Sequence, residues 1–150
     1  MVRKKRQSGR IVNRRASYDY ELGDTLVVGL QLTGAETKAL RLGNGTLRGA
    51  YVTVKDDELW LINAQVSGTR GIQIPEDLQT RTRKLLAKRS EIDRLTAAKQ
   101  QGSTIVPLDL QTHGRYIKLR IAVGKGRKRY DKRETIKRRQ QERDIARKTR

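Results

Sequence analysis

The sequence predicts a small, mainly β domain, an antiparallel barrel with three short helices, followed by a disordered basic tail. Three observations lead to this prediction. Between residues 18 and 123, short apolar runs alternate with polar residues in the pattern of half-buried strands. Gly-rich turns separate these runs. The last stretch, residues 124–150, has thirteen Lys or Arg, four Asp or Glu and almost no side chain that could fill a core.

The first half of the chain contains four predicted strand segments. Tyr18–Leu32 alternates on both sides of Gly23-Asp24, which predicts two extended segments that meet at a turn. Residues 50–54 and 59–62 are apolar runs separated by an acidic turn, which predicts a β-hairpin. We assign all four segments to the barrel.

Three short helices are predicted around these strands. Thr33 and Glu36 have the spacing of a capping box, so the first helix begins there and stops at Gly43. Thr82–Arg89 is rich in helix-favouring residues and predicts the second helix. Ser90–Gly102 begins with a capping residue and ends with a glycine, which predicts the third.

The second half of the chain contains one more predicted strand pair, Thr104–Leu110 and Tyr116–Val123. Pro107 lies inside the first of these strands and has no N–H to donate, so we expect it at an edge or a bulge. Residues 67–79 are polar and contain Gly and Pro, which predicts a surface loop.

The formal net charge of +19 is concentrated at the two ends of the chain. Residues 1–15 carry +7 and residues 124–150 carry +9, while residues 16–62 carry −3. We predict a disordered basic arm over residues 1–10, one folded domain over residues 11–123, and then a basic tail that is disordered when free and helical when bound. A near-neutral body with basic extensions favours nucleic acid as the partner.

Residues that carry chemistry are scarce. The chain has no Cys, and His113 is its single His, so we expect no metal and no cofactor. No Ser-His-Asp set and no carboxylate pair argues for catalysis, so we expect that the protein is not an enzyme. No stretch approaches the roughly 20 apolar residues of a membrane span. We expect a cytoplasmic monomer without a membrane partner.

Seven ordered segments of the chain resemble one known family. They are Asn13–Ala16, Leu32–Arg41, Ala50–Val52, Asn63-Ala64, Arg81–Leu86, Ser103–Leu108 and Ala122–Arg133. Together they resemble the SsrA-binding proteins (small protein B) of bacterial trans-translation. The resemblance implies a barrel of the oligonucleotide-binding (OB) type with three helices. It also implies binding to the tRNA-like domain of transfer-messenger RNA (tmRNA) and delivery of that RNA to stalled ribosomes.

The resemblance also implies which residues contact tmRNA. They are Asn13 and Arg14 near the barrel entrance, Glu36, Lys38 and Arg41 on the first helix, and Arg83, Leu86 and Lys88 on the second helix. Glu36 has an equally good alternative role as the capping-box residue. Leu85 and Leu86 are adjacent and cannot both point inward from a helix, so an exposed leucine is expected here.

The tail is implied to occupy the empty mRNA channel of the ribosome, near the 16S rRNA decoding centre. The residues expected to act there are Lys125, Arg127, Lys128, Arg129, Tyr130, Asp131, Lys132, Arg133 and Ile136. Tyr130 is expected to stack on a base, because an isolated aromatic residue in a charged segment has no core to join.

Two of the departures from the family pattern affect expected RNA contacts. Val27 stands where the family commonly has a Glu, so that RNA contact is not carried over. The loop 67–79 lacks the Pro-Tyr and Asn-His elements of the family, and its contacts are not carried over either. Three alternative functions remain: a structural ribosomal protein, a general single-strand binding protein with a barrel fold, and an RNA-modifying enzyme. The last lacks a cofactor loop and a catalytic cluster.

Overall fold

The computed structural model describes residues 9–126 and 129–148. Most of the predicted N-terminal arm, together with Arg127 and Lys128 of the tail, lies outside the described residues. The elements, in chain order, are β1 Arg10–Val12, α1 Ala16–Asp19, β2 Tyr20–Leu30, α2 Gly34–Arg41, β3 Gly45–Thr46, β4 Tyr51–Lys55, β5 Glu58–Ile62, β6 Gln65–Val66, β7 Arg83–Leu86, α3 Arg89–Gln100, β8 Thr104–Gln111, β9 Lys118–Gly126 and α4 Arg129–Lys148.

Seven strands form one antiparallel sheet in the order β1-β8-β4-β5-β7-β2-β9. The sheet closes partly into a ring, because β9 pairs with β2 on one side and with β8 on the other. On the far side of β8, the link to β4 is the single register pair of Val52 and Ile105. The short strands β3 and β6 form a separate pair. The prediction of a mainly β domain is confirmed.

The main core lies inside this ring. Its central side chains are buried residues from most of the strands, together with one face each of α2 and α3. A second, smaller apolar cluster lies between α1 and the outside of the sheet and consists of Ala16, Val106, Leu108 and Ala122. Both sides of β8 are therefore buried, in keeping with a strand sequence that is apolar from Ile105 to Leu110 except for the buried Asp109.

Several local predictions are confirmed. Thr33 and Glu36 form the capping box of α2, and Gly43 follows this helix with a φ of 83°. The predicted hairpin is β4 and β5, and its two turn residues, Asp56 and Asp57, both have positive φ as tight hairpin turns require. The register of β8 against β9 shifts after Pro107, so this proline does lie at a bulge.

The predicted turn at Gly23-Asp24 is wrong. β2 runs through these residues as one strand, and the register against β9 shifts only between Leu22 and Thr25. The physical reason is that β9 is long enough to pair with both halves of β2. The Gly-Asp pair is therefore accommodated as a bulge, which bends a strand without ending it.

The predicted helix Thr82–Arg89 is also wrong. Arg83–Leu86 is the strand β7, which pairs with β5 on one side and with β2 on the other. Helix propensity is a weak preference, and two neighbouring strands that both need a partner override it. The third helix has Lys88 as its N-cap and begins at Arg89, so its N-cap lies two residues before the predicted N-cap, Ser90. Four α-helices occur in the described part of the chain, where three helices were predicted.

The predicted boundary between domain and tail also needs a correction. β9 continues past Val123, and Gly124–Gly126 pair with Tyr20–Leu22 of β2. Beyond the strand, α4 is helical, and its Arg139 Nη2 donates a hydrogen bond of 3.2 Å to Ser17 Oγ. Disorder of the tail in the free protein remains a prediction. None of the described helices is long and apolar enough to cross a membrane.

The adjacent residues Leu85 and Leu86 offer a test of the strand assignment. Leu85 is 2% exposed and Leu86 is 53% exposed. Leu85→Ala should lower the free energy of unfolding by about 2–5 kcal/mol, because it leaves a cavity in the core. Leu86→Ala should change it by only about 0.5 kcal/mol. Urea denaturation of the two variants measures both values, and equal losses would contradict the alternation of β7.

Candidate nucleic-acid interface

A buried carboxylate joins α2 to the approach of β7. Glu36 is 2% exposed, and its Oε1 accepts hydrogen bonds from the Thr33 N–H at 2.9 Å and from Arg81 Nη2 at 2.5 Å. Its Oε2 accepts from Arg83 Nε at 2.7 Å and from Arg81 Nε at 3.2 Å. One carboxylate thus caps a helix and binds two guanidinium groups, an arrangement we call the Glu36 network.

Arg83 is the most deeply buried charged side chain of this network. Its guanidinium also donates to the backbone carbonyls of Ala64 at 2.7 Å, Gln79 at 3.0 Å and Arg81 at 3.1 Å. It therefore ties the residue just before β6 to the last part of the segment that leads into β7. Glu36 and Arg83 were predicted as RNA contacts. Both side chains are buried inside the protein, where they tie α2 to the start of β7, and a direct contact of either with RNA stays a prediction.

The protonation state of Glu36 follows from these contacts. Burial by itself would raise the pKa of Glu36, but the hydrogen bonds from Arg81, the Thr33 N–H and Arg83 outweigh it and lower the pKa from 4.5 to about 2. Burial also lowers the pKa of Arg83, and Glu36 partly offsets this effect. The carboxylate is therefore charged at neutral pH.

Arg41 and Asn13 also make structural contacts. The Arg41 guanidinium donates to the carbonyls of Thr112 at 3.0 Å, Gly114 at 2.9 Å and Arg115 at 3.1 Å. It thereby ties α2 to the connection between β8 and β9. Asn13 Nδ2 donates to Pro107 O at 2.9 Å, at the bulge of β8. Both residues were predicted as RNA contacts, and both hold the backbone near the surface in place.

The other predicted contacts of the domain are exposed: Arg14, Lys38, Leu86 and Lys88. Lys88 lies between β7 and α3, and Leu86 lies on β7, not on a helix as predicted. Leu86 is in register with Gly29 of β2, and Gly29 is in register with Lys118 of β9. Partners in register point to the same side of a sheet, so Leu86 and Lys118 share its outer face.

Gly29 has a steric role in this row. A Cβ atom at Gly29 would come within 3.1 Å of the Leu86 Cβ, so the glycine leaves room for the leucine over β2. Val27, two residues earlier on the same side of β2, is 42% exposed and is in register with Arg120. We call this outer face, formed by Val27, Gly29, Leu86, Lys118 and Arg120, the outer β-face.

The outer β-face combines apolar and cationic side chains. Val27 and Leu86 provide the apolar contact area, and Lys118 provides an exposed positive charge. Arg120 is partly neutralised, because its Nη2 lies 2.7 Å from the carboxylate of the buried Asp109. Such a surface can contact a ribose or base and a phosphate at the same time.

The tail residues are only partly described. Lys125 is exposed at the end of β9, and Arg133 and Ile136 are exposed on α4. Arg127 and Lys128 lie outside the described residues. The side chains of Arg129, Tyr130, Asp131 and Lys132, which belong to the first turns of α4, also lie outside them.

Neither Arg81 nor Lys118 was predicted from the sequence as a site residue. A signal for Arg81 existed, because Thr80-Arg81-Thr82-Arg83 alternates with a period of two, which is typical of a strand with one type of residue on each face. Lys118 lay inside a predicted strand, but only the pairing with β2 shows that it faces the same side as Leu86. In the described part of the chain, no group of three or more His, Asp or Glu could hold a metal ion.

Comparisons with known proteins agree with this architecture. The sequence profile of the SmpB protein family matches residues 10–150. The chain belongs to the SmpB family. The SsrA-binding protein of Trichormus variabilis is 46% identical over 137 residues, which cover 90% of this chain and 88% of that protein. The SsrA-binding protein of Acholeplasma laidlawii is 41% identical over 136 residues, which cover 90% and 89%.

A solved SmpB-type structure is also similar. It is described as "tmRNA-SmpB: a journey to the center of the bacterial ribosome", and the matching chain is 32% identical with a TM-score of 0.67. The match covers 86% of this chain and 95% of that chain. This chain therefore resembles the matched chain in its overall fold as well as in sequence.

The Glu36 network predicts a specific dependence of stability on pH. The folded pKa of about 2 lies below the ordinary value of 4.5, so the network stabilises the fold above pH 4.5 and this contribution is lost as the pH falls towards 2. Glu36→Gln should lower the free energy of unfolding by about 3 kcal/mol at pH 7, because it leaves two buried or half-buried guanidinium groups uncompensated.

Urea denaturation at pH 7, 4 and 2.5 measures this effect. The difference between the parent protein and Glu36→Gln should shrink as the pH falls, and Glu76→Gln, which changes an exposed carboxylate, serves as the matched control. A difference for Glu36→Gln that stays constant over this range would contradict the lowered pKa.

Proposed function

We propose that this protein binds the tRNA-like domain of tmRNA and delivers it to stalled ribosomes for trans-translation. Membership in the SmpB family supports the proposal most strongly, because the relatives are SsrA-binding proteins and the similar structure is a tmRNA-SmpB assembly on the bacterial ribosome. The net charge of +19 supplies the attraction to RNA phosphates. Such a protein acts in the cytoplasm, as a monomer, and without catalysis of its own.

The ring of strands corresponds, in this proposal, to a barrel of the OB type. The support is the circuit β8-β4-β5-β7-β2-β9, in which β9 returns to β8. OB barrels bind oligonucleotides on the outer surface of their strands and on adjacent loops. The outer β-face has this position, since Leu86, Gly29 and Lys118 form one row across three neighbouring strands.

RNA recognition by the outer β-face has a physical basis in this chain. In the family, a Glu commonly stands at the position of Val27, and a carboxylate can accept hydrogen bonds from base edges. Val27 cannot, so here the contact is apolar, and Lys118 must supply the polar part. Lys38, Lys88 and Arg14 add exposed positive charges on neighbouring elements that can neutralise phosphates.

The tail acts at a second place, the empty mRNA channel of the ribosome. α4 has no broad apolar face, and the described side chains from Ile136 to Ala146 are all exposed. A helix of this composition is stabilised little by packing against its own domain and strongly by electrostatic attraction in a polyanionic channel. Tyr130 is proposed to stack on a decoding-centre base, while Lys125 and Arg133 neutralise phosphates of 16S rRNA.

A structural ribosomal protein shares the basic extensions and the small β domain. The two functions differ in stoichiometry: a ribosomal protein accompanies every subunit, whereas a trans-translation factor is substoichiometric and enriched on stalled ribosomes. Sequencing of RNA crosslinked to the protein in cells decides among the candidates. A general single-strand binding protein would recover many RNAs without enrichment of tmRNA.

Two substitutions test the role of the outer β-face. Lys118→Ala should weaken binding to the tRNA-like domain and reduce the slope of log K against log salt concentration by about 0.7–0.9, because one phosphate contact is lost. Leu86→Ser should weaken binding without a change in this slope. Fluorescence anisotropy titrations at several salt concentrations measure both, with Arg70→Ala in the 67–79 loop as the charge control. An unchanged slope for Lys118→Ala would contradict the phosphate contact.

Tyr130→Ala should bind tmRNA like the parent protein but slow peptidyl transfer to the tmRNA alanine on stalled ribosomes, because stacking on a base contributes about 1–3 kcal/mol. Single-turnover transfer assays measure this rate. Removal of residues 127–150 should have a larger effect on the same step and still leave RNA binding intact, since β9 ends at Gly126. A normal rate for Tyr130→Ala, together with a large loss for Lys132→Ala/Arg133→Ala, would show that the tail acts by charge alone.

A further inference from the structure

Tyr116, in the connection between β8 and β9, is the most exposed of the large apolar side chains in the described part of the chain. Its exposed fraction is 68%, compared with 44% for Tyr51. Single exposed apolar residues are common on protein surfaces, so exposure alone does not identify a site. The backbone and the charges around Tyr116 are what set it apart.

The backbone that carries Tyr116 is held from several directions. The Arg41 guanidinium donates hydrogen bonds to three carbonyls of this connection, those of Thr112, Gly114 and Arg115. The Thr112 N–H donates to Gly9 O at 2.8 Å, and Ile117, directly after Tyr116, is buried in the core. A side chain on such a backbone is presented in a fixed place, which lowers the entropy lost when a ligand binds.

The surroundings of Tyr116 are cationic. The Arg115 guanidinium lies 5.5 Å from the centre of the tyrosine ring, within the range of a cation–π contact. Lys118 follows two residues later and is exposed. Between Leu110 and Arg120 the chain contains no Asp or Glu. An aromatic face flanked by positive charge suits a ligand that has both a flat ring and a negative charge.

Tyr116 is also continuous with the outer β-face. Lys118 belongs to the row that crosses β9, β2 and β7 and ends at Leu86. Tyr116 lies two residues before Lys118, the first residue of β9, so an RNA strand bound along this row would reach Tyr116 beside Lys118. The geometry points to Tyr116 as a stacking platform for one unpaired nucleobase of the bound RNA, with Arg115 and Lys118 at the adjoining phosphates. This inference rests on the proposed function and adds one contact to it.

A series of substitutions at one position separates stacking from other contributions. Tyr116→Ala should weaken binding to the tRNA-like domain of tmRNA about 5- to 100-fold, the loss expected for one base–aromatic contact. Tyr116→Phe and Tyr116→Trp should remain within about twofold of the parent, because both keep an aromatic face. Tyr116→Leu should bind as weakly as Tyr116→Ala, because it keeps apolar area but not the ring.

Two outcomes overturn the inference while leaving the proposed function intact. If Tyr116→Leu binds like the parent, the contact is apolar and not a stack; if Tyr116→Ala binds like the parent, Tyr116 does not contact the RNA. Failure of the parent protein itself to bind the tRNA-like RNA would instead overturn the proposed function. Thermal unfolding of each variant confirms that it is folded at the assay temperature.

A second variant tests whether the backbone under Tyr116 must be held. Arg41→Lys keeps the positive charge but cannot bind three carbonyls with one planar group. It should weaken binding of the same RNA in the parent protein and have a smaller effect in the Tyr116→Ala background, because the platform is then already lost. Strict additivity of the two changes would contradict a positioning role for Arg41 in this stack.

Discussion

The carboxylate of Glu36 is the interaction on which the arrangement of this domain depends. It caps α2 through the Thr33 N–H and binds Arg81 and Arg83 at the start of β7. β7 in turn lies between β5 and β2 and completes the ring there. A buried ion pair of this kind adds little net stability over an apolar core, but removal of one partner is costly, so it specifies a single arrangement of helix and strand.

The Glu36 network also determines the positions of residues on the protein surface. With β7 in place, Leu86 lies opposite Gly29 and points outward, and Arg41, at the last turn of the capped helix, reaches the backbone of the β8–β9 connection. Helix α2 thus connects the buried Glu36 network with the protein surface. Glu36 fixes the first turn of α2, and Arg41 in its last turn binds the backbone of the β8–β9 connection, which carries Tyr116. Several residues that were predicted as RNA contacts, among them Glu36, Arg83 and Arg41, make contacts within the protein that hold its backbone in place.

The features that the sequence predicted correctly depend on one local element, and the features that it did not predict depend on contacts between distant elements. Local signals predicted well where a single element decides the outcome, as for the capping box at Thr33 and the bulge at Pro107. Local signals failed where the neighbouring strands determine the conformation. Arg83–Leu86 is helix-favouring by composition, and it is a strand because β5 and β2 flank it. The exposure of Leu86 was predicted, although on the assumption that it lies on a helix. The burial of Glu36 and Arg83 depends on their contact with each other, and these two residues are more than 40 positions apart in the sequence, so no local pattern could predict it.

Val27 gives the outer β-face a different chemistry from the Glu that the family commonly has at this position. A carboxylate on the outer β-face would be attracted to Lys118 and Arg120, and this attraction would compete with its contacts to RNA. With Val27 in its place, Lys118 remains available for a phosphate, while Arg120 is already paired with Asp109, its register partner on β8. In the proposed function, the apolar Val27 would move the RNA contact from a base edge towards the backbone and the ring faces of the RNA, and Tyr116, two residues before Lys118, would supply a stacking contact with an unpaired base.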